Sequence, residues 1–202
     1  MQKTQMKITV QEDNLAQLQQ VIDDLDKMYI EIGIFGEDDE FYTMIAGVHE
    51  FGMTIKAKGS ALTIPTEHAK GRSAGEIPGL FRPKGKDYLA VSEDGELKIM
   101  FFLRKSVKIP ERSFIRSTFD EEEKNWTAFL EERLDRVLQF EMSVEQMFEQ
   151  MGAKAVADIQ RKMTSLRSPA NADITVKNKG SSNPLIDTGG MRQRVTWKVR
   201  KR

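Results

Sequence analysis

The chain has 202 residues, of which 39% are hydrophobic, enough for one core of modest size. It contains no cysteine, which excludes disulfides, thiolate metal ligands and a cysteine nucleophile. No apolar run has the length of a membrane span, so we expect neither a membrane-spanning segment nor a signal peptide.

The 31 basic and 31 acidic residues cancel overall but are unevenly distributed. Residues 1–50 contain eleven acidic and three basic residues, whereas residues 165–202 contain two acidic and nine basic ones. Three interpretations are open: an acidic surface that meets a basic surface of a neighbouring subunit, nucleic-acid binding by the tail, or two solvated surfaces. Because the opposite charges are nearly equal in size, we favour self-assembly.

The first predicted elements are a short strand and an amphipathic helix. Lys7–Val10 predicts the strand. Asp13 or Asn14 is a suitable N-cap for a helix that ends near Lys27. The apolar residues at helical spacing are Leu15, Leu18, Val21, Ile22 and Leu25.

A second strand and a short helix follow. Isoleucines alternate with other residues over 30–34, which predicts a half-buried strand. Phe41–Phe51 predicts a helix that Gly52 ends, since glycine commonly terminates helices. Leu62–Pro65 is expected to be extended.

Residues 53–108 predict an insertion that contains a β-hairpin. Its strands, 88–92 and 97–103, flank a turn at Asp94-Gly95. Met100 and Phe102 lie on one face of the second strand. The other face carries Leu97, Ile99, Phe101 and Leu103. Because both faces are apolar, we expect the insertion to contact a neighbouring subunit, although a hairpin that covers its own core fits the pattern equally well.

The next predicted elements are a strand at 107–109 and two long helices. The acidic run Asp120–Glu123 suits the start of the first helix, because acidic groups favour helix N-termini. Ser143 and Gln146 form a capping box for the second. Its apolar stripe consists of Val144, Met147, Phe148, Met151, Ala155, Val156, Ile159 and Met163. Gly152 interrupts this stripe, which suggests the close approach of another backbone.

Residues 168–183 are polar and predict a mobile loop, and Arg192–Val199 alternates as a final half-buried strand. Together these elements predict an α+β fold, in which a mostly antiparallel sheet packs against two long helices and carries an inserted hairpin. We expect residues 1–202 to form a single domain.

Asp187-Thr188-Gly189, after two apolar residues, has the form of an aspartic-protease loop. Such an enzyme needs two carboxylates that share a proton, and the chain has no second copy of the motif. Only thirteen residues follow Gly189, too few to build the substrate pocket. We therefore interpret Asp187 and Thr188 as turn residues whose side chains bond the nearby backbone before the last strand.

No other catalytic or cofactor-binding pattern stands out. The two histidines, His49 and His68, lack the spacing of a zinc-protease motif. No serine occupies a Gly-x-Ser-x-Gly elbow, and no glycine-rich loop has the order that binds phosphates. We expect no enzyme activity, no cofactor and no metal.

Three short patterns occur in a familiar order: 49–52 (HEFG), 109–116 (IPERSFIR) and 184–191 (PLIDTGGM). In this order the chain resembles the tail-completion or neck proteins of tailed bacteriophages, the group that includes minor tail protein Z and the Mu-type virion-morphogenesis families. The resemblance spans roughly residues 29–199. Ser113 departs from it, because many members have proline there.

The resemblance implies a structural protein of the virion, assembled in the host cytoplasm, that joins the head connector to the tail. It implies a homo-oligomeric ring, typically sixfold, without catalysis or cofactor. Partners would be the connector or stopper and the tail-terminator or tail-tube proteins, with possible contact to packaged DNA in the lumen. Ring contacts are head-to-tail, so one face of the chain must complement a different face.

We expect Arg112 and Arg116 to anchor the junction between the strand and the long helix, within the subunit or across the ring, or simply to be solvated. The candidate assembly interface comprises Arg112, Phe114, Arg116, Met100, Phe102, Arg194, Lys198 and Arg200. Two alternatives are a tail-terminator ring and a DNA-binding protein that uses the basic C-terminal tail.

Overall fold

A computed structural model describes residues 14–202 of the chain. The fold is α+β, with about 46% helix and 21% strand, which confirms the predicted class. The helices are α1 Leu15–Lys27, α2 Glu40–Phe51, α3 Arg116–Leu138, α4 Val144–Ser165, α5 Asp173–Lys179 and α6 Gly190–Gln193. The strands are β1 Met28–Gly33, β2 Met53–Lys56, β3 Leu62–Pro65, β4 Tyr88–Glu93, β5 Glu96–Arg104, β6 Ser106–Ile109 and β7 Thr196–Lys201.

The strands form three small sheets instead of one continuous sheet. β1 pairs with β7, β2 with β6, and β5 lies between β3 and β4. The chain divides into two compact units. The first contains the described residues up to Ile32, Glu122–Val156 and Thr196–Arg202, and the second contains Gly33–Glu121 and Ala157–Val195. The prediction of a single domain stays a prediction.

The first unit is built around apolar residues of β1, α3 and α4. Met28, Val137 and Met147 are buried together, and Val21 and Leu25 of α1 pack against them. The remaining apolar residues of α1 stay exposed: Leu15, Leu18 and Ile22. Only one side of the predicted α1 face therefore joins the core, and the rest is left to solvent.

Local sequence signals place the helices of this unit. Ser143 and Gln146 form the predicted capping box, with the Ser143 hydroxyl accepting from the Gln146 N–H at 3.1 Å and the Gln146 side chain accepting in return at 3.0 Å. The close neighbour of Gly152 is a side chain and not the backbone that the sequence suggested, because an added Cβ would lie 2.2 Å from the Trp197 ring. The Trp197 Nε1 donates to Glu149 one turn away on α4.

The insertion belongs to the second unit and has its own small core. β2 and β6 form an antiparallel two-stranded ribbon at its base. Beyond them, the sheet β3-β5-β4 buries a cluster of Ala69, Ile77, Val91, Met100 and Phe101. Met100 and Phe101 are neighbours on one strand and are both buried, because the pairing of β4 and β5 is irregular at Leu89/Ala90. The hairpin therefore covers its own core.

Three other boundaries differ from the sequence predictions, and a fourth prediction is not tested. α3 begins at Arg116, four residues before the acidic run at 120–123. The expected loop at 168–183 contains α5, and the last strand begins at Thr196 because α6 occupies the residues before it. The predicted strand Lys7–Val10 lies outside the described residues.

Candidate interaction site

The N-terminus of α3 is held by Glu50 of α2. The Glu50 carboxylate accepts hydrogen bonds from the backbone N–H groups of Phe114, Ile115 and Arg116 at 2.8 to 3.0 Å. It also accepts from the Ser113 hydroxyl at 2.7 Å. A carboxylate at this position neutralises the unpaired N–H groups and the positive end of the helix dipole. Glu50 therefore fixes α2 to α3.

The environment of Glu50 keeps its carboxyl ionised. Burial by itself would raise the pKa of this group, since only 4% of the residue is exposed. The hydrogen bonds from Ile115, Arg116, Ser113 and Phe114 outweigh that effect and hold the pKa below its usual value. The guanidinium of Arg116 adds an ion pair at 3.1 Å.

Arg112 is buried at the same junction, and among residues 14–202 it has no carboxylate partner. Its guanidinium donates to the Pro169 and Ala170 carbonyl oxygens at 2.7 and 2.9 Å, and it lies 3.4 Å from the His49 Nδ1. Burial and the Arg112 charge lower the pKa of His49 to about 4, so this imidazole is neutral at pH 7 and its Nδ1 accepts. Arg112 therefore ties the 169–170 segment to α2.

The three short sequence patterns at 49–52, 109–116 and 184–191 meet around α2. Gly52 has a positive φ of 68°, and an added Cβ would lie 2.9 Å from the Glu111 N, so 49–52 and 109–116 touch through their backbones. An added Cβ at Gly190 would lie 2.2 Å from the Tyr42 hydroxyl, which places 184–191 against α2 as well. The arrangement orients α2 so that its other side faces solvent.

The exposed apolar residues on that side of α2, together with those of the adjoining strand β2, are what we call the α2–β2 patch. The exposed fractions are 59% for Phe41, 59% for Met44, 65% for Phe51, 49% for Met53 and 39% for Ile55. Phe41, Met44 and Phe51 lie at helical spacing along one side of α2, and the Arg116 guanidinium lies 4.6 Å from the centre of the Phe51 ring. Clustered exposed apolar residues are typical of interaction surfaces.

The ribbon β2–β6 has two chemically different faces. Residues directly opposite each other in the ladder share a face. Met53 pairs with Ile109 and Ile55 with Val107, which makes one face apolar. Thr54 pairs with Lys108 and Lys56 with Ser106, which makes the other face polar and basic. Every residue of β2 is exposed.

Three of the predicted interface residues are buried within the chain, and two others are partly exposed. Met100, Phe114 and Arg112 are buried inside the chain at 3%, 0% and 5% exposure, so they do not lie on its surface. Arg116 anchors the α3 start through Glu50 and Glu111, with half of its side chain exposed. Phe102 is half-buried in β5, with Arg104 over its ring.

The basic tail is partly neutralised within the chain. Arg200 pairs with Glu31 at 2.8 Å in the first unit, and Arg194 pairs with Asp39 in the second. Lys198 is half-buried on β7 between these two residues in sequence. Acidic residues of the N-terminal part and basic residues of the tail therefore meet in the same molecule, and the charge asymmetry of the sequence is a weaker argument for assembly than it appeared.

The turn before the last strand depends on Asn183 more than on Asp187. The Asn183 Oδ1 accepts from the N–H groups of Leu185 and Ile186, and its Nδ2 donates to the Thr164 carbonyl at the end of α4. The Thr188 hydroxyl accepts from Gly190, as the turn interpretation expects. Asp187 is exposed and lines a cavity of about 290 Å³ together with residues that include Lys179.

Comparison of the chain with protein-family models, with curated proteins and with solved structures gave no match in any of the three. Between residues 14 and 202, histidine and carboxylate side chains form no group able to hold a metal ion. Over the same residues, no helix is both long enough and apolar enough to cross a membrane.

Proposed function

We propose that the protein is a structural component of a tailed-phage virion, which forms a ring in the neck, completes the tail and joins it to the head connector. The observation that carries the proposal is the α2–β2 patch, because a row of large apolar side chains with this exposure is costly to leave in water. The three resembling patterns support it, since they are the segments that position α2.

A ring requires two different complementary surfaces on each subunit. The α2–β2 patch in the second unit supplies one of them. The first unit carries a separate exposed stripe on α1, in which Leu15 is 73% and Ile22 49% exposed. Two distinct apolar surfaces on one chain suit a head-to-tail contact, in which each subunit offers one surface to either neighbour.

Charge insertion into the α2–β2 patch tests the proposal. We expect Met44→Glu and Ile55→Glu each to abolish head–tail joining in a complementation assay with particles that lack this protein, because a carboxylate would be buried against an apolar partner surface at every contact in the ring, where a central hot-spot side chain contributes about 2 kcal/mol or more. Circular dichroism should show both variants folded, since the two positions are exposed.

Leu97→Glu is the matched control. Leu97 is 53% exposed on β5 but lies outside the patch, so the variant should join heads and tails as the wild type does. Normal joining by Met44→Glu and Ile55→Glu would contradict the proposal, as would an equal defect in the control.

A further inference from the structure

The basic face of the ribbon β2–β6 is a concentrated positive surface. Lys56 and Lys108 lie on this face, at diagonal positions of the ladder. Lys58 and Lys105 lie just outside the two strands, beyond the end of the ribbon where the Ala57 N–H donates to the Lys105 carbonyl oxygen, and they add positive charge there without belonging to this face. All four lysines are exposed.

The sequence around these lysines contains no acid that would neutralise them. Residues 53–66 and 97–110 include no aspartate and no glutamate. Within residues 14–202, these four lysines form no ion pair, whereas basic residues elsewhere in the insertion, such as Arg82 and Lys98, pair with neighbouring carboxylates. The ribbon therefore keeps its full positive charge available to a partner.

A two-stranded ribbon with a cationic face has the shape and charge of a DNA-binding element. The major groove of B-form DNA accommodates a two-stranded β-ribbon, and lysines that neutralise phosphates supply most of the affinity of sequence-independent binding. The major groove of double-stranded RNA is deep and narrow, and protein side chains do not reach into it. Duplex DNA is thus the partner that the ribbon fits.

We infer that the basic face of β2–β6 binds the phosphate backbone of duplex DNA without sequence preference, through Lys56 and Lys108, with Lys58 and Lys105 adding positive charge just beyond the end of the ribbon. This site differs from the C-terminal tail, where Arg200 and Arg194 are committed to Glu31 and Asp39. The inference does not depend on the proposed neck function, because it concerns DNA affinity of the isolated protein.

The test is fluorescence anisotropy with the purified full chain and a short labelled DNA duplex of mixed sequence, over a series of salt concentrations. Wild-type affinity should fall steeply with salt. The double variant Lys56→Gln/Lys108→Gln should bind at least about tenfold more weakly, and the slope of log affinity against log salt should fall by about 1.8, since each lost phosphate contact removes about 0.9.

The matched control is Lys201→Gln/Arg202→Gln, which removes the same charge from the tail and should leave the slope nearly unchanged. Three results would overturn the inference: no wild-type binding at low salt, a loss of slope in the tail variant instead of the ribbon variant, or equal affinity for duplex RNA. Because head–tail joining is measured separately, failure here leaves the proposed neck function standing.

Discussion

A carboxylate that leaves water is stable only if other donors replace the hydrogen bonds it loses. Glu50 meets this condition with donors from four consecutive residues, Ser113 to Arg116, which are 63 to 66 positions away in sequence. Such a contact has no local signal. The sequence instead placed the start of α3 at the acidic run 120–123, because acidic residues favour a helix N-terminus and this run is close in sequence.

Glu50→Gln should therefore destabilise the protein by about 2–4 kcal/mol, because the amide keeps the shape but loses the charge and places a donor against backbone N–H groups. The lowered pKa of Glu50 also determines how the stability of the protein changes with pH. The stability that the ionised Glu50 carboxyl contributes is complete above its unfolded-state pKa, near 4.5, and is lost as the pH falls through the lower folded-state value.

Urea unfolding of both proteins at pH 7 and at progressively lower pH measures the two effects, and part of the acid-dependent slope should be missing in the variant. Glu111→Gln is the control, since Glu111 also pairs with Arg116 but its side chain is 55% exposed, and the expected loss is below about 1 kcal/mol. Equal losses in the two variants would contradict the special role of Glu50.

At the scale of the element, predictions succeeded where the signal is local. The capping box at Ser143, the helix that ends at Gly52 and the hairpin at Asp94-Gly95 each depend on a few adjacent residues. β2 was not predicted as a strand, because its four residues are all exposed and its existence depends on pairing with β6, about fifty residues later. The ribbon with its two different faces therefore could not be predicted from the sequence pattern.

Helix α4 offers an element-scale test through its glycine. Gly152→Ala should destabilise the protein by about 1–3 kcal/mol, because the new methyl group would overlap the Trp197 ring unless the ring moves. Gly47→Ala in α2 is the control. Apart from the helix's own backbone and chain neighbours, no atom of the described residues lies within 4 Å of an added Cβ there, and the change should be neutral or stabilising by up to about 1 kcal/mol. Thermal unfolding of the two variants measures the difference, and a neutral Gly152→Ala would contradict the close packing.

For the whole molecule, the separation of acidic and basic segments in the sequence favoured an assembling protein, but the structure weakens that reason. The acidic and basic segments of the sequence partly pair within one chain, as Arg200 with Glu31 shows. The exposed surfaces that could contact a partner are instead the α2–β2 patch, the apolar stripe of α1 and the basic face of the ribbon. Whether these surfaces are exposed depends on how the chain folds. Sequence periodicity identifies an apolar face of a helix, but it does not show whether another element covers that face.

The proposed ring at the junction of head and tail can be examined by imaging assembled particles. A compact label on an exposed segment of the chain, such as the Asp94-Gly95 turn, would be located by electron microscopy of purified virions. We expect label density at the neck, between the head connector and the tail, with several copies arranged around the tail axis. Label found along the tail tube or on the capsid, or particles whose necks are complete without the protein, would contradict it.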